Sequence, residues 1–137
     1  NFASGQLAYA VSSALGISYE EAEEIKNKEG LVSKNQDVSK NLYLLIDSVL
    51  SEVKKILVDF NQRGGKEIDE IYLSGGTAHL PGLKEYFAEV LKKKVEVPSC
   101  FSDILYPPIL GQTLEEMGPS FSVAGGASLG GLGVFKN

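Results

Sequence analysis

The chain has 137 residues, enough for one domain with a hydrophobic core, and a formal net charge of -5 at pH 7. Because a nucleic-acid surface needs clustered Lys and Arg, this acidic balance argues against a nucleic-acid partner. A single cysteine, Cys100, excludes an internal disulfide, and without a Cys/His cluster we expect no structural zinc site. The sequence opens on Asn1 rather than Met, which indicates a piece of a longer protein.

Two helices are predicted at the start of the chain. Apolar residues on one face predict a helix from Ser4 to about Leu15, which Gly16 should end. Ser18 and Glu21 form a capping-box pattern, in which each side chain bonds the backbone of the other residue. This pattern predicts a second helix that ends before Gly30, followed by a loop over residues 31–36.

A long third helix is predicted from about Val38 to Gln62. Its apolar residues recur at spacings of three and four and form one continuous stripe, made of Leu42, Leu45, Ile46, Val49, Val53, Ile56, Leu57 and Phe60. Because a strand follows directly, we expect this helix to pack on the protein's own sheet. A coiled-coil or partner-binding helix is the alternative.

The next segment predicts a strand, a helix and a strand. Residues Ile68 to Ser74 form the first strand, Leu83 to Leu91 the helix and Val95 to Val97 the second strand. This β-α-β order predicts parallel strands joined by a right-handed crossover. The fold class is therefore α/β (α+β), with residues 1–62 as a helical part and residues 63–137 as a βαβ part with a closing helix.

The closing segment, Phe121 to Phe135, is rich in Ala, Gly, Ser and Leu. Its Gly126-xxx-Gly130 pattern can mark paired membrane helices, but fifteen residues fall short of the ~20 that span a bilayer. We expect a helix packed tightly on its neighbours through small residues. Glu115 and Glu116 are expected on a short helix before it.

Two glycines follow the first strand, in the run Leu73-Ser74-Gly75-Gly76-Thr77. A strand that passes through paired glycines into a helix lets a ligand lie against bare backbone, which side chains there would block. Pro81 is expected at the first position of the next helix, where its missing N–H costs nothing. A tight turn without a ligand is the other interpretation, since Gly-Gly marks turns in general.

A second candidate pair lies on the second helix. Glu23 and Lys26 are three residues apart and therefore share one helical face. Taken alone, this spacing favours a surface ion pair that contributes roughly less than 1 kcal/mol.

The whole glycine motif is more specific than its glycines. It resembles the adenosine-binding motif of the actin, heat-shock chaperone and sugar-kinase superfamily, which runs apolar-apolar-x-Gly-Gly-[Ser/Thr]-x-x-[Ile/Leu]-Pro. The longer run from Ile68 to Leu83, with Val95-Glu96-Val97 behind it, resembles the PilM family of actin-like proteins in type IV pilus assembly, with FtsA next. The resemblance implies the C-terminal lobe of an actin-like ATPase fold.

The resemblance also implies a set of nucleotide contacts. In related actin-like proteins a Glu-x-x-Lys on this helix reaches the ribose hydroxyls, and Glu23 and Lys26 match it. The glycine motif would contact adenosine and line the adenine pocket through Gly75, Gly76, Thr77, His79 and Leu80. The implied cofactor is ATP or ADP, with Mg²⁺ expected only together with a missing lobe.

The role implied by the resemblance is type IV pilus assembly at the cytoplasmic face of the inner membrane. The implied partners are a PilN-like inner-membrane protein and the remaining lobe of the same protein, with self-association open and no direct membrane insertion. The chain has no Asp-x-Gly-Thr type phosphate loop, so we identify no catalytic residue and expect at most weak ATPase activity, in the full protein. A ligand-free scaffold, an FtsA-like division protein and a sugar or acetate kinase are the alternatives.

Overall fold

The computed structural model describes residues 4–99, 101 and 105–131. Two 3-10 turns, at Gly30–Val32 and Pro108–Leu110, accompany the regular elements. In chain order these elements are the helices α1 (Ser4–Leu15), α2 (Tyr19–Glu29) and α3 (Gln36–Gln62), the strand β1 (Glu70–Tyr72), the helix α4 (Leu83–Leu91), the strand β2 (Lys94–Glu96) and the helix α5 (Gly111–Gly131). The predicted mixed class is confirmed, with helix predominating over a small parallel sheet.

Helices α1 and α2 begin and end as their sequence signals predict. After α1, Gly16 takes a left-handed φ of 66°. The capping box of α2 is present, since Glu21 N–H donates to Ser18 Oγ at 3.2 Å and Ser18 N–H donates to Glu21 Oε2 at 3.1 Å. At its other end α2 stops at Glu29, because Gly30 leaves helical geometry with a φ of 50°.

Helix α3 begins two residues earlier than predicted and ends at Gln62 as predicted. The early start has a local cause, because the Asn35 side chain accepts a hydrogen bond from Asp37 N–H at 3.0 Å and caps the helix. Its first half is buried, at Val38, Leu42, Ile46 and Leu50. In its second half the stripe becomes more exposed, and Ile56 and Phe60 are 60% and 44% exposed. The expected packing of the stripe is therefore confirmed in part: Val53 and Leu57 are half-buried against the core, whereas Ile56 and Phe60 are exposed.

The two strands are parallel, as predicted, and Ile71 lies opposite Val95. The first strand is shorter than expected, although Leu73 N–H continues the pairing to Glu96 O at 2.8 Å, and the second begins and ends one residue earlier than expected. Helix α4 connects the strands and buries Leu83, Phe87 and Leu91 in the core. The crossover thereby fixes the position of the segment between β1 and α4, which carries the glycine motif.

The expectation that α4 begins at Pro81 is wrong. The helix begins at Leu83, and the residue before it, Gly82, has a left-handed φ of 82°. Because this backbone conformation interrupts a right-handed helix, Pro81 lies in the preceding turn. Its carbonyl is then available to another part of the chain.

The closing helix α5 is longer and less packed than predicted. It runs from Gly111 to Gly131 as one element, so it includes the short helix expected around Glu115. Tight packing through small residues is contradicted for the part that can be described, since Val123 is 82% exposed and a Cβ at Gly126 would have no neighbour within 4 Å. Of the α5 residues whose burial is described, Gly118 and Pro119 are buried, and Pro119 O accepts a hydrogen bond from Gly75 N–H of the glycine turn. Residues 132–135 of the predicted helix lie outside the described residues.

None of the helices within the described ranges combines the length and apolar character that crossing a membrane requires.

Candidate functional site

The end of α2 and the glycine motif are joined by close backbone packing. Leu31 N–H donates to the carbonyl oxygen of Pro81 at 2.9 Å. A Cβ at Gly30 would lie 2.6 Å from that same oxygen, and a Cβ at Gly82 would lie 2.9 Å from Val32 Cγ1. These contacts bring the last turns of α2 to face the residues between Gly76 and Leu80.

A cleft of about 410 Å³ lies between these two segments. It is lined by Lys26 and Asn27 from α2 and by Gly76, Thr77, His79 and Leu80 from the glycine motif. Five of the seven residues that the sequence singled out therefore come together around one space. The two remaining residues, Glu23 and Gly75, do not line it.

Glu23 lies behind Lys26 and is bonded to it. The Lys26 side chain is 3% exposed, the Glu23 side chain is 34% exposed, and Lys26 Nζ lies 2.6 Å from Glu23 Oε1. Because the Lys26 side chain is buried, the pair is not the exposed surface ion pair that the spacing alone favoured. The second carboxylate oxygen, Glu23 Oε2, is covered, and no donor from the described part of the chain reaches it. A buried acceptor without a partner costs about 1–3 kcal/mol, and Glu23 does not line the cleft in this structure.

The two glycines have different surroundings. Gly75 has a left-handed φ of 94°, a backbone conformation that by itself favours glycine. Its N–H donates a hydrogen bond to Pro119 O at 2.8 Å. It lines a neighbouring apolar cavity of about 230 Å³ with Ile46 and Phe87. Gly76 lines the cleft, and a Cβ there would meet, within the described part of the chain, only Ser120 Oγ at 3.8 Å. The missing side chain at Gly76 therefore leaves bare backbone facing the cleft.

Asn27 is a lining residue that the sequence analysis missed. Its side-chain amide can both donate and accept hydrogen bonds, and it is exposed beside the buried Lys26. The signal was present in the sequence, because Asn27 lies four residues after Glu23 and therefore on the same side of α2. The resemblance drew attention to the Glu-x-x-Lys pair alone.

The groups around the cleft suit a ligand with hydroxyls and a flat ring. Lys26 provides a buried ammonium, Asn27 an amide, and Gly76 an open stretch of backbone. The buried Leu80 and the exposed His79 provide an apolar and an aromatic contact. Within the described ranges no group of three or more His, Cys, Asp or Glu residues is arranged to hold a metal ion.

The chain is similar to known proteins both in sequence and in structure. The family model described as "Type IV pilus assembly protein PilM" matches residues 1–131. A solved structure titled "PilM-PilN type IV pilus biogenesis complex" superposes with a TM-score of 0.71 at 22% sequence identity. The match covers 87% of this chain and 34% of that one, so the chain spans about a third of that protein's length, and the likeness shows the fold. Among curated proteins there is no match.

Proposed function

The chain belongs to the PilM family of type IV pilus assembly proteins, and on that premise we propose that it is the C-terminal, nucleotide-binding lobe of a longer actin-like protein. It contributes the adenosine half of an ATP or ADP cleft. The other lobe supplies the phosphate-binding loops and, with them, the Mg²⁺ site. ATP then bridges the two lobes and fixes the angle between them. Partner proteins bind according to this angle.

The observation that carries this proposal is the meeting of α2 and the glycine motif around one cleft. In the proposed complex Lys26 donates a hydrogen bond to a ribose hydroxyl, and the Glu23 carboxylate accepts one from a ribose hydroxyl. The backbone at Gly76 and Thr77 lies along the adenosine, while His79 and Leu80 contact the base. The ion pair of 2.6 Å between Lys26 Nζ and Glu23 Oε1 supports this arrangement, since it holds the ammonium of a residue that lines the cleft.

A second part of the proposal concerns the partner and the location. The similar solved structure is titled as a complex of PilM with PilN, and the family is described by its role in pilus assembly. We infer that the full protein binds a PilN-like inner-membrane protein. It then lies at the cytoplasmic face of that membrane and is held there by its partner.

The nucleotide proposal is tested by titrating adenosine, ADP and ATP into this chain, with backbone amide chemical shifts as the readout. Because the contacts lie on the adenosine side, all three should bind with similar affinity, on the order of 1 mM. The largest shifts are expected at Asn27, Gly76 and Thr77, with guanosine as the control ligand that binds more weakly.

The longer parent protein gives the matching measurement. There Mg-ATP should bind more tightly than adenosine, because the second lobe adds phosphate contacts. If neither protein binds adenosine or ATP, the nucleotide assignment is wrong, and the ligand-free scaffold becomes the better description. In that case the glycine motif is a structural turn only.

A further inference from the structure

An apolar groove runs along the outer face of α3 and α4. It consists of two adjoining cavities of about 340 and 440 Å³, both of which are lined by Tyr43. Val32 and Leu44 also line it and are 66% and 62% exposed. We call this surface the tyrosine groove. It shares no lining residue with the adenosine cleft, so the proposed function does not account for it.

Two tyrosines form the centre of the groove. The rings of Tyr43 and Tyr86 pack edge to face, with centroids 4.8 Å apart and an interplanar angle of 76°. The Tyr86 hydroxyl donates a hydrogen bond of 2.5 Å to Asp47 Oδ1, which connects α4 to α3. Because both rings are held by their neighbours, a partner that binds them does not have to order them first.

The groove is also negatively charged. Asp47, Glu85 and Glu89 contribute three carboxylates, and Lys40 contributes one ammonium group. In the described part of the chain none of these three carboxylates is in an ion pair. The hydrogen bond to Asp47, with burial and the nearby Glu89 charge, raises the pKa of Tyr86 to about 12. The local field therefore favours an incoming cation.

We propose that the tyrosine groove docks a basic, partly apolar segment of a protein partner. An Arg or Lys side chain of that segment lies against the ring of Tyr43, where the aromatic face attracts a cation, and Arg more strongly than Lys. An apolar neighbour in the segment contacts Val32 or Leu44. Glu85 and Glu89 attract the segment and fix its direction.

Charge also decides between a separate partner and a second copy of this chain. Three lysines on and around α4 are already occupied, since Lys84 pairs with Glu96, Lys93 with Glu67 and Lys94 with Glu70. A second copy would have to break such pairs to present these three cations, and its own formal net charge of -5 opposes its approach to an acidic groove. A different protein with uncommitted basic residues would not have to do so.

The test uses a fluorescent synthetic peptide of alternating arginine and leucine and measures its anisotropy with this chain. The variant E85Q/E89Q should weaken peptide binding roughly fivefold, because two exposed attractions are lost. The control variant E20Q/D69N removes two exposed carboxylates elsewhere and should leave affinity within about twofold. Circular dichroism of both variants confirms that the fold is retained.

Three outcomes would overturn the proposal. If the groove and control variants weaken binding equally, the peptide responds to net charge alone. If Y43L leaves the affinity unchanged, the aromatic surface plays no part. If sedimentation shows a dimer of this chain that E85Q/E89Q dissociates, the occupant is a second copy rather than a separate partner.

Discussion

The backbone N–H of Leu31 donates a hydrogen bond of 2.9 Å to the carbonyl oxygen of Pro81. These residues are fifty positions apart, and their contact joins the turn after α2 to the turn before α4. Both sides of the candidate cleft are thereby fixed relative to each other. The fit depends on Gly30, whose missing side chain lets the two backbones approach.

We predict that Gly30→Ala lowers the free energy of unfolding by roughly 2–4 kcal/mol. Alanine would have to adopt a left-handed φ of 50°, and its Cβ would lie 2.6 Å from Pro81 O. The measurement is urea denaturation followed by circular dichroism. The control is Gly126→Ala, at an open position in α5, which should instead raise the stability by about 0.5–1 kcal/mol. Equal effects of the two changes would contradict the assigned contact.

We predict that Lys26→Met lowers the free energy of unfolding by about 1–3 kcal/mol. Lys26 is 2% exposed, and its removal leaves the Glu23 carboxylate without its cation. Because the Glu23 side chain is 34% exposed, water partly compensates and keeps the loss below that of a fully buried pair. The double variant Glu23→Gln/Lys26→Met should recover part of the loss in urea denaturation. A double variant that is less stable than Lys26→Met would refute the coupling.

We predict that Tyr86→Phe lowers stability by about 1 kcal/mol below pH 10, through loss of the hydrogen bond to Asp47. The pKa of Tyr86 is raised from 10.0 to about 12 in the folded protein. A raised pKa means that this contribution is complete below the unfolded value and disappears as pH rises through the folded value. The stability difference between the two proteins should therefore shrink between pH 10 and pH 12. A constant difference across this window would show that Tyr86 does not titrate as described.

We predict that replacing an apolar side chain by alanine lowers the stability more in the first half of α3 than in the second. Leu50→Ala should cost about 2–5 kcal/mol, because Leu50 is 2% exposed in the core. Ile56→Ala should change the stability by no more than about 0.5 kcal/mol, since Ile56 is 60% exposed. Thermal or urea unfolding measures both. A large loss of stability from Ile56→Ala would show that a partner or a second copy covers the second half of α3.

The helix boundaries were predictable where the signal is local. The capping box at Ser18 and Glu21 and the stop at Gly30 depend on residues within one turn, and the structure confirms them. The prediction that α4 begins at Pro81 was wrong because the next residue, Gly82, has a left-handed conformation. This conformation overrides the preference of proline for the first position of a helix. The exposure of Ile56 and Phe60 in the second half of α3 could not be predicted either, because periodicity shows which residues share a face but not what covers that face.

The glycine side of the candidate site was indicated by the residues themselves, whereas the α2 side was indicated by the resemblance alone. Glu23 and Lys26 have the spacing of an ordinary surface pair, and only the fold buries Lys26. Asn27 was missed because no motif included it. The tyrosine groove depends on Tyr43 and Tyr86, which are 43 positions apart, so only the packing of α4 against α3 reveals it.

The sharpest prediction for the cleft compares two glycine substitutions. Gly76→Gln should abolish the chemical-shift changes that adenosine produces, because the new side chain fills the space along the backbone of the cleft. Gly126→Gln should leave them unchanged, since Gly126 is exposed on α5 and does not line the cleft.

Both substitutions should leave the fold intact. Among the described residues other than its chain neighbours, a Cβ at Gly76 would have only Ser120 Oγ within 4 Å, at 3.8 Å, and a Cβ at Gly126 would have no such contact. Neither glycine has the left-handed φ that strains other residues. A loss of adenosine binding with unchanged unfolding would therefore come from the blocked cleft. If adenosine still binds to the Gly76→Gln variant, the ligand does not bind at the glycine motif.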